Sequence, residues 1–353
     1  MLLWTSFIGL ILLLLALDLG FFHRNAHVVT FKEALRWSIV WISVGLSFSV
    51  VIYFAYKGHW MELGTAVDLI DGTVNNGTAA AGKYLTGYIV ELSLSVDNLF
   101  VIAMIFTAFA VPAAYQHRLL FWGILGAVVM RGAMIGIGVQ LITRFHWIIY
   151  VFGAFLIITS IKMLFSNVAH SDPSKGIAVR MVRRLFPVTD HYHGNHFFVR
   201  APRHNAADAS ASIASAQPDA ALARAKSGAL LLTPLGVALV TIEMTDLIFA
   251  VDSIPAIFAI TADPFLVFSS NIFAVLGLRS LFFVLAAMLS KFRYLKYSLA
   301  AILFTVGIKM FFADWIKSQL GPQFNLYLLA LVFGILAVGI IASLWANRMD
   351  RLR

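Results

Sequence analysis

Long uninterrupted apolar runs dominate the pattern of hydrophobic and polar positions along this chain. Nine of them, at roughly 2–21, 37–56, 85–109, 118–140, 147–165, 229–260, 265–288, 296–313 and 326–346, approach or exceed the ~20 residues a helix needs to cross a bilayer. Runs such as Leu2–Leu17 and Leu328–Leu344 are apolar on every side. They keep no polar face for water and lack the two-residue alternation of a barrel strand. The pattern predicts an all-α polytopic membrane helix bundle with about nine transmembrane helices.

The polar stretches divide the chain into 1–84, with two helices and the connection after them, and 85–165, with three helices. A sizeable loop at 166–228 follows, then three more helices at 229–313, then a last helix and tail at 314–353. Within the loop, RMVRRLFPV at 180–188 reads as a short amphipathic segment for the membrane interface. DHYHGNHFFVR at 190–200 reads as a small hairpin turning at Gly194 and Asn195. Residues 201–228, rich in Ala and Ser without periodicity, read as flexible linker.

Composition agrees with this picture and narrows the chemistry. Hydrophobic residues make up 61% and charged residues 12%, where a soluble domain has about half and a quarter. Cysteine is absent, which excludes disulfides and thiolate metal sites. The net charge of +9 is explained by its distribution. Eighteen of the 26 Lys and Arg fall in alternate loops and the C-terminal tail, against four, Lys57, Lys83, Arg144 and Lys317, on the opposite side. Without the long loop the ratio is still ten to four. The positive-inside rule then places the N-terminus outside and the C-terminus in the cytoplasm. These charges orient the protein against anionic lipid, so no nucleic-acid partner is needed. No basic segment precedes the first apolar run and no small-x-small cleavage site follows it, so that run is expected to remain as a helix.

The spans repeat. ELSLSVDNLF at 91–100 aligns with DLIFAVDSIP at 246–255, acid on acid and Val-Asp on Val-Asp. The next span of each set carries one Arg, Arg131 and Arg279, and the span after that ends in SIKMLF at 160–165 or GIKMFF at 307–312. Three spans per repeat is an odd number. The second repeat must enter the membrane the opposite way round, giving an inverted 3+3 repeat of the kind that places transport sites at mid-membrane.

Inside the spans stand five acids, Glu91, Asp97, Glu243, Asp246 and Asp252, and four bases, Arg131, Lys162, Arg279 and Lys309. An acid at mid-membrane costs about 2.5–3.5 kcal/mol on insertion scales, so partners, water or a bound cation must offset it. Static internal ion pairs are one reading. The other is a cation site in which Asp97 and Asp252 face each other across the pseudo-dyad, with Glu91, Glu243, Asp246 and Asn98 completing or flanking it. The four bases would then be counter-charges. Two empty carboxylates close together retain a proton, which a divalent cation would displace. Pro255 lacks an N–H, and 229–260 is longer than a span requires, so a helix break near Val251–Ser253 is expected. Oxygen donors from the acids, Asn98 and Ser253 suit Mg²⁺, Ca²⁺ or Mn²⁺, with Met104 and Met244 as soft neighbours. His191, His193 and His196 in the long loop are a second metal-like run, read as part of a solvated hairpin. The sequence shows no nucleophile–base pair and no phosphate-binding glycine loop, so neither an enzyme nor an ATP-driven pump is expected, and no resident cofactor.

EMTDLIFAVDSIPAIFAIT at 243–261, with DPFLVFSSNIFAVLGLRSLFFVLA at 263–286, resembles the signature of the TerC family. ELSLSVDNLFV at 91–101 is similar to its first-repeat motif, and TDHYHGNHFFVR at 189–200 to its loop. The resemblance runs from about residue 37 to 346 and covers all five acids; the 201–228 linker is longer than the family pattern. It implies a bacterial inner-membrane protein of a family named for tellurium resistance, several members of which are associated with Mn²⁺ export. Two functions follow: a proton-coupled exporter of a divalent cation, Mn²⁺ favoured, or a non-transporting membrane scaffold or assembly factor of a metal or tellurite stress response. Membrane lipid is the expected surrounding partner, and the sequence is compatible with a monomer or a homo-oligomer.

Overall fold

The structure, a computed structural model, describes residues 2–20, 30–145, 147–165, 177–189, 191–201, 221, 225–226, 228–286, 294–320 and 324–350. Its helices are α1 (Leu2–Gly20), α2 (Phe31–Lys57), α3 (Gly77–Ala108), α4 (Ala113–Arg144), α5 (Ile148–Phe165) and α6 (Ile177–Leu185). They continue with α7 (Pro234–Phe258), α8 (Pro264–Leu276), α9 (Leu278–Ala286), α10 (Leu295–Leu320) and α11 (Phe324–Asp350). Each predicted span falls on a helix, and 265–288 falls on two. Among the described residues five helices are long and apolar enough to cross a membrane, or six if the bent α8–α9 pair is one span. The apolar parts of α1 and α10 are shorter. The chain divides into two units, Met1–Phe100 with Ala127–Ser166 and Leu247–Arg353, and Val101–Gly126 with Asn167–Asp246.

Local sequence sets the helix ends. Thr30 caps α2 by accepting from the Glu33 amide, a Thr-x-x-Glu start. Asp263 caps α8 by accepting from the Phe265 and Leu266 amides, with Pro264 at the first helical position, where its missing N–H costs nothing. The break expected near Val251–Ser253 is not there. α7 is helical from Pro234 to Phe258 with Pro255 inside its last turn, and the chain leaves the helix only at 259–263. Pro255 removes one hydrogen bond, to the Val251 carbonyl, and the helix runs on through it to Phe258. The apparent excess length of the span lies outside the helix at both ends. The bend comes instead after Gly277, where α8 and α9 meet at 45°.

The second unit carries the loop. Its 190–200 segment does not close a local hairpin. Gly194, with φ +56, makes the turn, but β1 (Phe198–Arg200) pairs antiparallel with β2 (Leu230–Leu232). That strand is drawn from the start of the predicted 229–260 span. The amphipathic α6 also departs from expectation. Its apolar residues Val179 and Val182 pack on Leu232 and Val237, so this face covers protein and not lipid.

In the first unit, Ile135 and Ile142 of α4 pack with Ile254, Ile257 and Phe258 of α7 and Val267 of α8. α5 and α10 cross where Gly153 and Gly307 meet. A Cβ on Gly307 would stand 3.1 Å from the Gly153 carbonyl oxygen, and such small-residue contacts are how helices approach closely in lipid. A polar clasp ties the 58–76 connection to this unit. Val67 and Val74 bridge a small turn. From it the Asp68 carboxylate accepts from Lys83 Nζ at 2.8 Å, the Ala262 amide at 3.0 Å and the Thr261 hydroxyl. Lys83 also pairs with Asp71 at 2.8 Å. Lys83, read from sequence as a loop charge, is thus fully buried.

Burial pushes the Asp68 carboxyl up, but the Lys83 charge and the hydrogen bonds from Lys83, Thr261 and Ala262 outweigh it and hold it below the usual range. Asp68→Asn is expected to cost about 1–3 kcal/mol at neutral pH, seen as a lower melting temperature in detergent. Because the folded pKa lies below the unfolded one, this contribution is complete above about pH 4 and is lost as the pH falls through the folded value. The two proteins should converge only in strong acid. A difference that vanishes already between pH 7 and 5 would refute the assignment.

Candidate functional site

Helix geometry brings Glu91 of α3, Arg131 of α4, Ser253 of α7 and Asn271 of α8 to one point in the first unit. All four are buried, Glu91, Arg131 and Asn271 completely. Arg131 Nη1 donates to Glu91 Oε1 and, at 2.9 Å, to Asn271 Oδ1, with Ser253 Oγ at 3.5 Å. Asn271 Nδ2 donates to Glu91 Oε2 at 3.2 Å, and Ser95 Oγ to Glu91 Oε1 at 3.3 Å. A buried carboxylate needs a cation and donors to offset its lost hydration, and Glu91 has both. In this arrangement each of its oxygens is already engaged.

Glu243 is the opposite case. In the second unit it reaches from α7 into a notch that Gly126 leaves on α4. A Cβ at Gly126 would overlap both carboxylate oxygens of Glu243. One of them, Oε2, is buried without a hydrogen-bond partner among the described residues, while Asp246 stands one turn further along the same helix face. Buried polar atoms are nearly always paired. An orphan carboxylate oxygen therefore marks a place where a cation or a proton fits. The Asn98 side chain, buried on α3, likewise has Nδ2 without a partner among the described residues.

Of the other residues singled out from sequence, the basic ones separate. Asp97 and Asp252 lie on α3 and α7, but their side chains fall outside the described residues. Lys309 is buried and donates to the Ala259 carbonyl at 2.6 Å, where α7 ends. Arg279 pairs with Asp18 of α1 at 2.7 Å. Asp18 was legible by the same signal as the other acids, a carboxylate in an apolar run, and was not among the five. Lys162 is exposed in the last turn of α5, where a long stem reaches the polar interface; it is not an interior counter-charge. Among the described residues no three His, Asp or Glu side chains are grouped to hold a metal, so His191, His193 and His196 are not assembled into a site. Ser253, named from sequence as an oxygen donor, lies beside Arg131; Asn271, Gly126 and the burial of Lys83 were missed. For Asn271 the available signal was an amide inside an apolar span.

A cleft of about 580 Å³ near the clasp is lined by Glu62, Asp68, Asn75, Thr143 and Asp263. Asp68 is taken by Lys83 and Thr261, and Asp263 by Tyr56, whose hydroxyl donates at 2.8 Å, and by the α8 amides. These two carboxylates close the cleft wall and are not free for a ligand.

A family model, "Integral membrane protein TerC family", matches residues 76–351. The chain is 44% identical over 346 residues to "Uncharacterized membrane protein STKORF319" of Myxococcus xanthus, covering 98% of this chain and 93% of the relative. It is 42% identical over 360 residues to "Putative membrane-bound redox modulator Alx" of Escherichia coli K12, covering 100% and 97%. A Rickettsia bellii protein, "Uncharacterized membrane protein", is 35% identical over 334 residues, covering 95% and 96%. None of these names is that of an enzyme. No solved structure matches the chain.

Proposed function

The chain belongs to the TerC family of multi-pass integral membrane proteins, and from that membership we propose that it is a secondary transporter exporting a divalent cation, Mn²⁺ favoured, in exchange for protons. The observation that carries this reading is the Glu243 carboxylate, seated in the Gly126 notch with a buried oxygen that no group among the described residues satisfies. A static ion-pair scaffold would have no use for an acid left in that condition. From the sequence pattern, Asp97 and Asp252 are the proposed central ligands, with Glu91, Glu243, Asp246 and Asn98 completing or flanking the site. Arg131, Arg279 and Lys309 serve as counter-charges. Oxygen donors in a chain without cysteine fit Mn²⁺, Mg²⁺ or Ca²⁺ better than thiophilic metals.

The inverted 3+3 repeat belongs to the same reading. The third helices of the two repeats, α5 and α10, cross at Gly153 and Gly307, a contact that supports a pseudo-dyad between them. The repeats are not equivalent in charge: Arg131 holds Glu91 within its repeat, whereas Arg279 holds Asp18 of the added α1. The bacterial inner membrane, with the N-terminus outside and the C-terminus in the cytoplasm, is the orientation proposed from the basic loops. The name of the Escherichia coli relative, a redox modulator, needs no thiol in this chain: moving a redox-active cation such as Mn²⁺ would act on redox chemistry indirectly.

Purified protein in proteoliposomes, followed with an interior Mn²⁺-sensitive fluorophore, tests the proposal. Mn²⁺ uptake driven by a pH gradient is expected in the wild type, and at least about tenfold less in Glu243→Gln or Asp252→Asn that still fold. Folded wild-type protein that moves none of Mn²⁺, Mg²⁺ or Ca²⁺ would favour the scaffold or assembly-factor alternative.

A further inference from the structure

We propose that Asn271 is a positioning residue for cation transport: its amide holds the Glu91 carboxylate on Arg131 and so withholds that carboxylate from the cargo. The proposal rests on the transport reading above and adds to it a residue and a state. Asn271 is fully buried on α8. Both ends of its amide are committed, Oδ1 to Arg131 Nη1 at 2.9 Å and Nδ2 to Glu91 Oε2 at 3.2 Å. The chemistry allows one orientation. Arginine can only donate, and an ionised carboxylate can only accept. Asn271 therefore recognises the ion pair as a pair, and a neutral residue without both a donor and an acceptor cannot replace it.

This arrangement keeps Glu91 away from a cation. Oε1 is engaged by Arg131 and Ser95, and Oε2 by Asn271. A divalent ion reaching Glu91 must displace the guanidinium, the amide or both. Arg131 acts here as a tethered cation that occupies the carboxylate when cargo does not. Asn271 joins α8 to α3 and α4 and sets how firmly that tether holds. Firm holding lowers apparent affinity in this state and favours release, which a transporter needs as much as binding.

The test is the kinetics of Mn²⁺ uptake in proteoliposomes, with KM and maximal rate measured separately and melting temperature as the control for folding. Asn271→Leu, with the same branched heavy-atom skeleton and unable to hydrogen-bond, is expected to lower KM for Mn²⁺ by about three- to tenfold, the worth of the lost hydrogen bond to Glu91, and to lower the maximal rate. Asn271→Asp keeps the acceptor for Arg131 but sets a second carboxylate against Glu91, so it too should lower KM; it serves if the leucine variant does not fold. In a Glu91→Gln background neither substitution should change KM, because the withheld carboxylate is gone. A purely structural role for Asn271 would reduce melting temperature and maximal rate and leave KM alone. KM unchanged or raised in a wild-type-competent assay overturns this proposal, as does an equal fall of KM without Glu91. Wild-type protein that moves no Mn²⁺ overturns the transport reading, and this assignment with it.

Discussion

Arg131→Met lowers the stability of the folded protein by about 3–5 kcal/mol, the expected cost of leaving a buried carboxylate without its cation. Methionine preserves most of the aliphatic length, so the loss comes from charge and hydrogen bonding and not from a cavity. Contacts to Glu91, Asn271 and Ser253, on α3, α8 and α7, go at once. Glu91, fully buried, would be left without its counter-cation. Pairing the change with Glu91→Gln should recover most of the loss, since the amide is neutral and can still bond to Asn271. Thermal unfolding in detergent, followed by tryptophan fluorescence, measures both. Equal destabilisation in the single and double variants would show that the ion pair is not what Arg131 contributes.

Gly126→Ala is expected to leave the fold nearly intact and to reduce Mn²⁺ flux by about 100-fold, the effect of moving a reacting group by about 1 Å. The added methyl would occupy the space of the Glu243 carboxylate. That carboxylate is the far end of a flexible side chain, so it swings away and the backbones of α4 and α7 need not shift. Few substitutions separate transport from folding so cleanly, because the clash falls on the functional atoms alone. Melting temperature within a degree or two of wild type, with flux lost, is the supporting result. Normal flux in Gly126→Ala would mean that Glu243 does not work from this notch.

Much of this was readable in the linear pattern. Runs such as 37–56 and 326–346 have no polar face, and nothing but a membrane helix accommodates them. Glu91 and Glu243 stood out because carboxylates are rare in such runs. The details that failed depended on tertiary context. Pro255 looked like a break, but it sits three residues from a helix end where a break costs little. The apolar stripe of α6 looked ready for lipid, and Leu232 and Val237 had already covered it. Lys83 looked like a loop charge until the clasp enclosed it with Asp68 and Asp71.

The sequence by itself determined that the chain is a helical membrane protein, that its interior carries acids and bases, and that their pattern repeats. Those conclusions follow from composition and period, which are local properties. Only the tertiary structure decided which charges are neutralised. Glu91 meets Arg131 across 40 residues and Asn271 across 180, and Arg279 meets Asp18 across 261. Pairing of that kind is a matter of which helix faces come together, and helix periodicity cannot state it. The result is a contrast that the linear pattern hides: one acid locked to a protein cation, and another, beside a glycine, with an oxygen that no described residue satisfies.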